Sequence, residues 1–210
     1  MIELKLGLRT VNLPFTVRLP NVTEDVFDDL VDEDTKAELL DGVMIVHSPA
    51  TPQHDDIGGF IRALMRFFAT IKKLGKVLGP DSLVRLASGR KFAPDAYFID
   101  QKRVPRRLPR KQFNSPPDLA LEVLSPSNWE YDMDEKRTAY REAGVREIWF
   151  VDPVNEQVIV DRKRGRTHST VTVSEGKVHS SVIVDFWIEA SWLWAEPLPP
   201  ELDCIQEILA

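Results

Sequence analysis

Glu122 is the one charged residue of the apolar segment 119–124, whose composition predicts a strand covered on both faces. Burial of an unpaired carboxylate is costly, so a neighbouring strand has to supply a partner. Asp95, in the segment 94–99, is the candidate, whereas Asp118 lies farther along the same strand, about 13 Å away. Two carboxylates from adjacent strands form an oxygen-rich site suited to Mg²⁺ or Mn²⁺. The alternative is that each acid pairs with an arginine at a strand end.

A lysine on the next predicted helix can bring a positive charge to this site. Asp132, Lys136 and Tyr140 recur at intervals of four in a helix expected over about 130–143, so they share one face. Because only a few residues join the helix to the strand, that face can lie over the strand end that carries Glu122. The alternative is an ordinary surface pair between Asp132 and Lys136, which would contribute a few tenths of a kcal/mol.

The elements that must position these residues alternate between strands and helices. Caps, apolar spacing and closing glycines predict three helices, at about 23–31, 51–75 and 130–143. An Asp-Gly turn predicts a hairpin over 38–46. Further strands are predicted at 15–19, 77–78, 83–86, 96–99, 119–124, 147–151, 157–162, 169–173 and 178–184.

This order of elements predicts an α/β fold, a mixed β-sheet flanked by helices, with an N-terminal helix and a β-hairpin. We expect a lead-in over residues 1–22 and one domain over 23–194. A proline-rich tail over 195–210 is expected to follow the surface.

Composition excludes several classes of protein. The chain has 210 residues, of which 43% are hydrophobic and 29% charged, as in soluble globular domains. Its apolar runs are too short for a membrane helix or a secretory signal, so we expect a cytoplasmic protein with no membrane partner. A single cysteine, Cys204, excludes an internal disulfide and a cysteine-based zinc site. The net charge of −6 argues against a wholly electrostatic nucleic-acid binder.

A local cluster of basic residues interrupts this acidic background. The segment 102–111 contains no acid, and its prolines predict a loop between the two strands that carry Asp95 and Glu122. We expect the loop to lie near the site and to contact a phosphate backbone, the alternative being a solvated loop. The candidate contacts are Arg103, Arg106, Arg107, Arg110 and Lys111.

Short motifs in a fixed order extend along most of the chain. They are 38–42, 48–49 with His54, 94–95, 117–127, then Asp132, Lys136 and Tyr140, and finally 144–153. As an ordered set they resemble the Uma2-type family within the PD-(D/E)XK nuclease superfamily. The resemblance covers about residues 24–194 and implies a restriction-endonuclease-like fold.

The resemblance also implies a metal site. Asp95 and Glu122 would bind the catalytic divalent ion, with the carbonyl of Val123 as a third ligand. The superfamily pattern places a lysine two residues after the glutamate, on the same face of the strand, but this chain has Leu124 there. In this family a lysine from the following helix is expected to substitute, which makes Lys136 the candidate.

Three further residues match positions of the family pattern. Glu38 matches its first acidic position, where it would bind a second ion, orient a water or cap the hairpin edge. His54, near the start of the long helix, is a candidate base or nucleic-acid contact, the alternative being a surface or capping residue. Tyr140 is a further candidate contact to nucleic acid.

We therefore expect a divalent-metal-dependent endonuclease that hydrolyses the phosphodiester bonds of DNA, with Mg²⁺ or Mn²⁺ and no organic cofactor. The alternatives are a catalytically inactive nuclease-fold protein that binds nucleic acid, favoured by Leu124 and the negative net charge, and a dimeric scaffold. A homodimer stays open, since nucleases that cut both strands often pair two sites.

Overall fold

A computed structural model describes residues 5–6, 9–10, 16–31 and 36–210. Its strands are β1 Lys5–Leu6, β2 Arg9–Thr10, β3 Thr16–Pro20, β4 Ala37–Leu40, β5 Val43–His47, β6 Gly75–Leu78, β7 Leu83–Ala87, β8 Arg90–Phe92, β9 Ala96–Asp100, β10 Gln112–Phe113, β11 Leu119–Val123, β12 Glu147–Asp152, β13 Gln157–Arg164, β14 Thr167–Val173, β15 Lys177–His179 and β16 Trp187–Glu189. The α-helices are α1 Glu24–Leu30, α2 Pro52–Ile71, α3 Arg137–Glu142 and α4 Glu201–Leu209. A π-helical turn, Tyr131–Lys136, leads directly into α3.

Two six-stranded sheets contain most of the strands. Their orders are β10-β7-β8-β4-β5-β3 and β14-β13-β12-β11-β9-β6, and each combines one parallel pair with antiparallel pairs. The predicted mixed α/β class is confirmed. The described strands form these two large sheets and two smaller pairs, β1-β2 and β15-β16, however, and not the single sheet that we expected.

The hairpin and the long helix form where local chemistry predicts them. Asp41 and Gly42 have φ angles of 48° and 86°, which the tight turn between β4 and β5 requires. The side chain of Thr51 accepts a hydrogen bond from the backbone of His54 and caps α2. The helix ends at Ile71, and β6 begins at Gly75, where glycine is required because a Cβ atom would lie 2.1 Å from the Ile99 carbonyl oxygen.

The strand that carries Glu122 lies inside the second sheet. β11 pairs with β9 in antiparallel and with β12 in parallel orientation, and all five of its residues are buried. Leu119, Leu121 and Val123 pack in the same apolar cluster as α2. The alternate residues face the other side, where Ala120 packs in the cluster that contains α3. Glu122 therefore points toward α3 and the π-helical turn.

The C-terminal segment contains a helix that the sequence reasoning did not predict. α4 packs beside α2 and buries Cys204, Ile205 and Ile208 in the core. These residues share one helical face. The flanking prolines favoured the prediction of an irregular surface tail, which is wrong for the residues of α4. Among the residues that the structure describes, no helix has the length and apolar character needed to cross a membrane.

A shorter side chain at Ile205, through which α4 contacts the core, tests the packing of this helix. Ile205→Ala is expected to lower the free energy of unfolding by about 2–5 kcal/mol, because it removes a side chain that is only 5% exposed. Leu202→Ala is the matched control on the same helix, since Leu202 is 66% exposed. Urea denaturation of both variants measures the difference. Equal losses would contradict the packing of α4 on the core.

Candidate active site

A pocket of about 240 Å³ lies at the C-terminal end of β11. It is bordered by the β4–β5 hairpin, the first turn of α2, the start of β9 and the π-helical turn. The titratable residues that line it are Lys36, Glu38, His47, His54, Asp95, Glu122, Asp132 and Lys136. Five separate parts of the chain therefore bring charged groups into one small space.

The pocket contains both acids of the predicted metal site. Asp95 Oδ2 accepts a hydrogen bond from the backbone nitrogen of Val123 at 2.8 Å, which places it beside the residue that follows Glu122. In the described ranges neither carboxylate pairs with an arginine, so that alternative is wrong for both. Asp118, by contrast, binds Arg103 at 2.9 Å and lies outside the pocket.

Lys136 is buried among three carboxylates. Its Nζ atom lies 2.7 Å from Glu122 Oε1, 3.0 Å from Glu38 Oε1 and 3.6 Å from Asp132 Oδ1. The side chain is 4% exposed, so an ordinary surface pair with Asp132 does not describe it. The π-helical turn that carries it is a rare local widening that is frequent at functional sites. Leu124, at the usual lysine position, packs in the core instead.

Glu38 holds several of these groups in place. Its Oε1 atom accepts a hydrogen bond from Ala93 N at 2.8 Å and contacts Lys136. Its Oε2 atom accepts from the Tyr131 hydroxyl at 2.9 Å and lies 3.2 Å from His47 Nε2. With both oxygens occupied, Glu38 is suited to orient Lys136 more than to bind an ion.

Burial shifts the pKa values of the carboxyl groups in the pocket, and it raises that of Asp132 well above the usual carboxyl range. Burial raises the pKa of Glu122 to about 7, the charges of Asp95 and Glu38 act in the same direction, and the charge of Lys136 opposes them. Burial also disfavours the charged forms of Asp95 and Glu38, but their cationic and hydrogen-bonding partners dominate. The pKa of Asp95 falls to about 2, and that of Glu38 lies below the usual carboxyl range.

The donor set fits a hard divalent cation. Asp95 and Glu122 supply carboxylate oxygens, and Val123 lines the same pocket, with its backbone nitrogen hydrogen-bonded to Asp95. The described part of the chain contains no cluster of three or more His, Cys, Asp or Glu side chains arranged to hold a metal. Mg²⁺ usually binds through one or two carboxylates and retains several waters, so a two-carboxylate site suits it better than Zn²⁺.

Two cationic side chains contact Asp95 from the pocket rim. His54 Nε2 lies 3.3 Å from Asp95 Oδ2, and Lys36 Nζ lies 3.6 Å from Oδ1. Burial lowers the pKa of His54, but Asp95 outweighs burial and raises it above the usual value. Sequence reasoning named His54 and missed Lys36. A signal was available, because Lys36 and Glu38 alternate onto one face of the chain entering β4.

The basic loop lies at the opposite end of the strands. β9 and β11 are antiparallel, with Phe98 opposite Leu119, so the loop between them begins beside Asp118 and not beside Asp95. The expected position near the pocket is therefore wrong for its basic residues: Arg103, Arg106, Arg107, Arg110 and Lys111. Arg103 is held by Asp118. Contact of the others with phosphate at that far end stays a prediction.

Tyr140 does not present a surface to nucleic acid. Its side chain is fully buried, and its hydroxyl donates a hydrogen bond to Glu122 Oε1 at 2.5 Å. The expected nucleic-acid contact is therefore wrong. Tyr140 instead fixes the position of the carboxylate, and the shared helical face with Lys136 is what brings both groups to Glu122.

Comparisons with known proteins agree with this arrangement. The profile of the Uma2 family, described as "putative restriction endonuclease", matches residues 24–191. A crystal structure described as "a putative nuclease belonging to DUF820", from Anabaena variabilis ATCC 29413, is similar with a TM-score of 0.72. The similarity covers 82% of this chain and 97% of that one at 18% identity, which shows a shared fold. No curated protein matches the chain.

Proposed function

Because the chain belongs to the Uma2 family of restriction-endonuclease-like proteins, we propose that it is a divalent-metal-dependent endonuclease that hydrolyses phosphodiester bonds of DNA. The observation that carries this proposal is the position of Lys136. Its ammonium lies 2.7 Å from Glu122 Oε1 in the pocket that Asp95 also lines, where it would take the role of the lysine that the superfamily pattern places at position 124. A purely structural ion pair would not require three carboxylates around one buried ammonium.

Asp95, Glu122 and the carbonyl of Val123 would hold the ion. A divalent cation in such a site polarises the scissile phosphate and lowers the pKa of an attacking water. Families of this restriction-endonuclease-like type generally use divalent metals, and we propose Mg²⁺ or Mn²⁺ here because the donors are all oxygen. The hydrogen bonds from Val123 N to Asp95 and from Tyr140 to Glu122 fix the two carboxylates before substrate arrives.

Lys136 acts as a hydrogen-bond donor and not as a base. Burial lowers its pKa, but Glu122, Glu38 and Asp132 outweigh burial and raise it well above the usual value. The ammonium therefore stays charged at neutral pH. It can orient the attacking water and stabilise the negative charge that develops on the phosphate. Glu38 is a positioning residue, since it contacts Lys136 and is itself held by Ala93 and Tyr131.

The experiment is a plasmid-nicking assay coupled to thermal unfolding. Wild-type protein is expected to nick supercoiled DNA with Mg²⁺ or Mn²⁺ and to stop when EDTA is added. Saturating Mn²⁺ should also raise the unfolding temperature, because ion binding at a hundred times the dissociation constant stabilises a fold by about 2.7 kcal/mol.

Asp95→Asn is expected to abolish both the nicking and the Mn²⁺-induced shift. Asp118→Asn is the matched control, because Asp118 is also buried, borders the same two strands and lies outside the pocket. A protein that binds DNA but shows no Mn²⁺ shift and no nicking would be the inactive nucleic-acid-binding alternative. Absence of both DNA binding and an ion effect would favour the scaffold.

A further inference from the structure

The two lysines of the pocket differ in their access to solvent. The Lys136 side chain is 4% exposed and is shared among three carboxylates, whereas the Lys36 side chain is 31% exposed. Among the described residues, Lys36 forms one ion pair, the 3.6 Å contact to Asp95 Oδ1. Lys36 can therefore reach a molecule that enters the pocket without first leaving a buried network.

The position of Lys36 at the rim is fixed by the strand that follows it. Lys36 precedes β4 by one residue, and alternation places its side chain on the same face as Glu38. The first turn of α2 borders the same opening, with His54 18% exposed. The positive end of that helix dipole adds to the positive character of this side of the pocket.

The carboxyl groups of the pocket oppose the entry of a phosphodiester, and the positive charge of Lys36 offsets part of this effect. Four carboxylates line it, those of Glu38, Asp95, Glu122 and Asp132, and the chain as a whole carries a net charge of −6. A phosphodiester approaching from solvent meets the carboxylate of Asp95, whose side chain is 9% exposed, before it reaches the buried Lys136. Within the described lining of the pocket, Lys36 is the one ammonium in contact with solvent at the entrance.

We propose that Lys36 binds a non-bridging oxygen of the scissile phosphate and so acts as the substrate-contacting lysine of the site. This proposal rests on the proposed endonuclease function and deepens it, because it assigns different roles to the two lysines. Lys136 orients the groups around Glu122 from inside, and Lys36 holds the phosphate at the entrance. Release of Lys36 from Asp95 costs little, because the pair is long and partly exposed.

The test measures the salt dependence of DNA binding. Binding of a short fluorescein-labelled DNA duplex is followed by anisotropy at several KCl concentrations, with Ca²⁺ in place of Mg²⁺ to limit cleavage. Lys36→Gln is expected to weaken binding about tenfold and to reduce the slope of log K against log salt by about 0.9, the value for one phosphate contact. Lys36→Arg keeps the charge and should keep the slope. Lys76→Gln removes an exposed lysine of β6 outside the pocket and should change neither quantity.

A second readout separates phosphate binding from support of Asp95. The Mn²⁺-induced rise in unfolding temperature should be unchanged or larger in Lys36→Gln, because a competing positive charge near Asp95 is gone. Loss of that rise, or a wild-type salt slope in Lys36→Gln, would overturn the assignment of Lys36 and leave the endonuclease proposal standing. Failure of the wild-type protein to bind DNA and to cleave it would overturn both.

Discussion

Lys136→Met is expected to reduce the rate of DNA cleavage by about 10²–10³-fold, the range for removal of one hydrogen-bond donor that stabilises charge in a transition state. Methionine matches the length and apolar stem of lysine but carries no ammonium. The attacking water and the negative charge on the phosphate then lose a hydrogen-bond donor, the ammonium that lies 2.7 Å from Glu122. Single-turnover nicking with saturating Mn²⁺ measures the effect on chemistry apart from binding.

The same substitution is expected to lower the free energy of unfolding by about 3–5 kcal/mol at pH 8, as for removal of one partner from a buried ion pair. Glu38, Glu122 and Asp132 would be left facing one another without a cation. The loss should shrink at pH 5, where protonation of Glu122 relieves the repulsion. Lys136→Met combined with Glu122→Gln should be less destabilised than the sum of the two single variants.

The stability measurements distinguish a loss of catalysis in Lys136→Met from a simple loss of folding. If Lys136→Met folds at pH 5 to 8 with unchanged near-ultraviolet circular dichroism, the cleavage rate reports chemistry alone. Cleavage within a factor of a few of wild type in that folded protein would show that Lys136 is a structural lysine. Lys136→Arg is the conservative variant. It should recover much of the stability and little of the rate, because its planar guanidinium cannot occupy the same point between the carboxylates.

Local patterns predict the elements that position the site. The Asp41-Gly42 turn, the Thr51 cap and the apolar strand 119–124 are each decided within a few residues, and the structure confirms all three. The helical face of Lys136 and Tyr140 follows from spacing alone. These are properties of the backbone and of its nearest neighbours, which a single sequence contains.

Long-range pairing accounts for what the sequence did not predict. β8 is a strand of three residues whose central Lys91 is fully buried, so its polar pattern resembles a surface turn. The acid that neutralises it, Asp28 of α1, precedes it by 63 residues and contacts it at 2.5 Å. The site of the basic loop likewise depends on the antiparallel pairing of β9 with β11, which no local pattern decides.

Lys36 was missed for the same reason. A lysine just before a strand is usually a solvated surface residue, and its contact with Asp95 arises only when β4 and β9 lie in adjoining parts of the fold. Glu38, by contrast, was recognised as an acid of the family pattern. Its role as the holder of Lys136 depends on Ala93 and Tyr131, which reach it from two distant segments.

The pKa of Glu122 leads to a prediction about pH in the metal-free protein. Burial raises this pKa from 4.5 to about 7, so the folded state binds a proton that the unfolded state releases at lower pH. The stabilising contribution of protonated Glu122 is full below pH 4.5 and is lost as the pH rises through about 7. In EDTA, the free energy of unfolding of wild-type protein should therefore fall relative to Glu122→Gln across this window, by about 3 kcal/mol in total.

His54 also has a raised pKa, and the comparison between variants removes the part of its contribution that does not depend on Glu122. Its raised pKa gives a loss of stability in the same direction, but it is present in both proteins. The carboxylates with lowered pKa values, Asp95 and Glu38, lose stability only at much lower pH and do not enter the window. Parallel stability curves for wild type and Glu122→Gln between pH 4.5 and 8 would show that Glu122 is ionised throughout.

The ion should reverse this dependence, since a bound cation requires the deprotonated carboxylate. In wild-type protein the affinity for Mn²⁺ is expected to rise up to about tenfold per pH unit below pH 7 and to level off above it. Cleavage at subsaturating Mn²⁺ should follow the same curve. Asp118→Asn keeps the pocket intact and should reproduce the wild-type profile, whereas Glu122→Gln should bind Mn²⁺ weakly at every pH. An affinity that does not change between pH 5 and 8 would show that the ion does not bind Glu122. That result would contradict the chemistry proposed for the pocket.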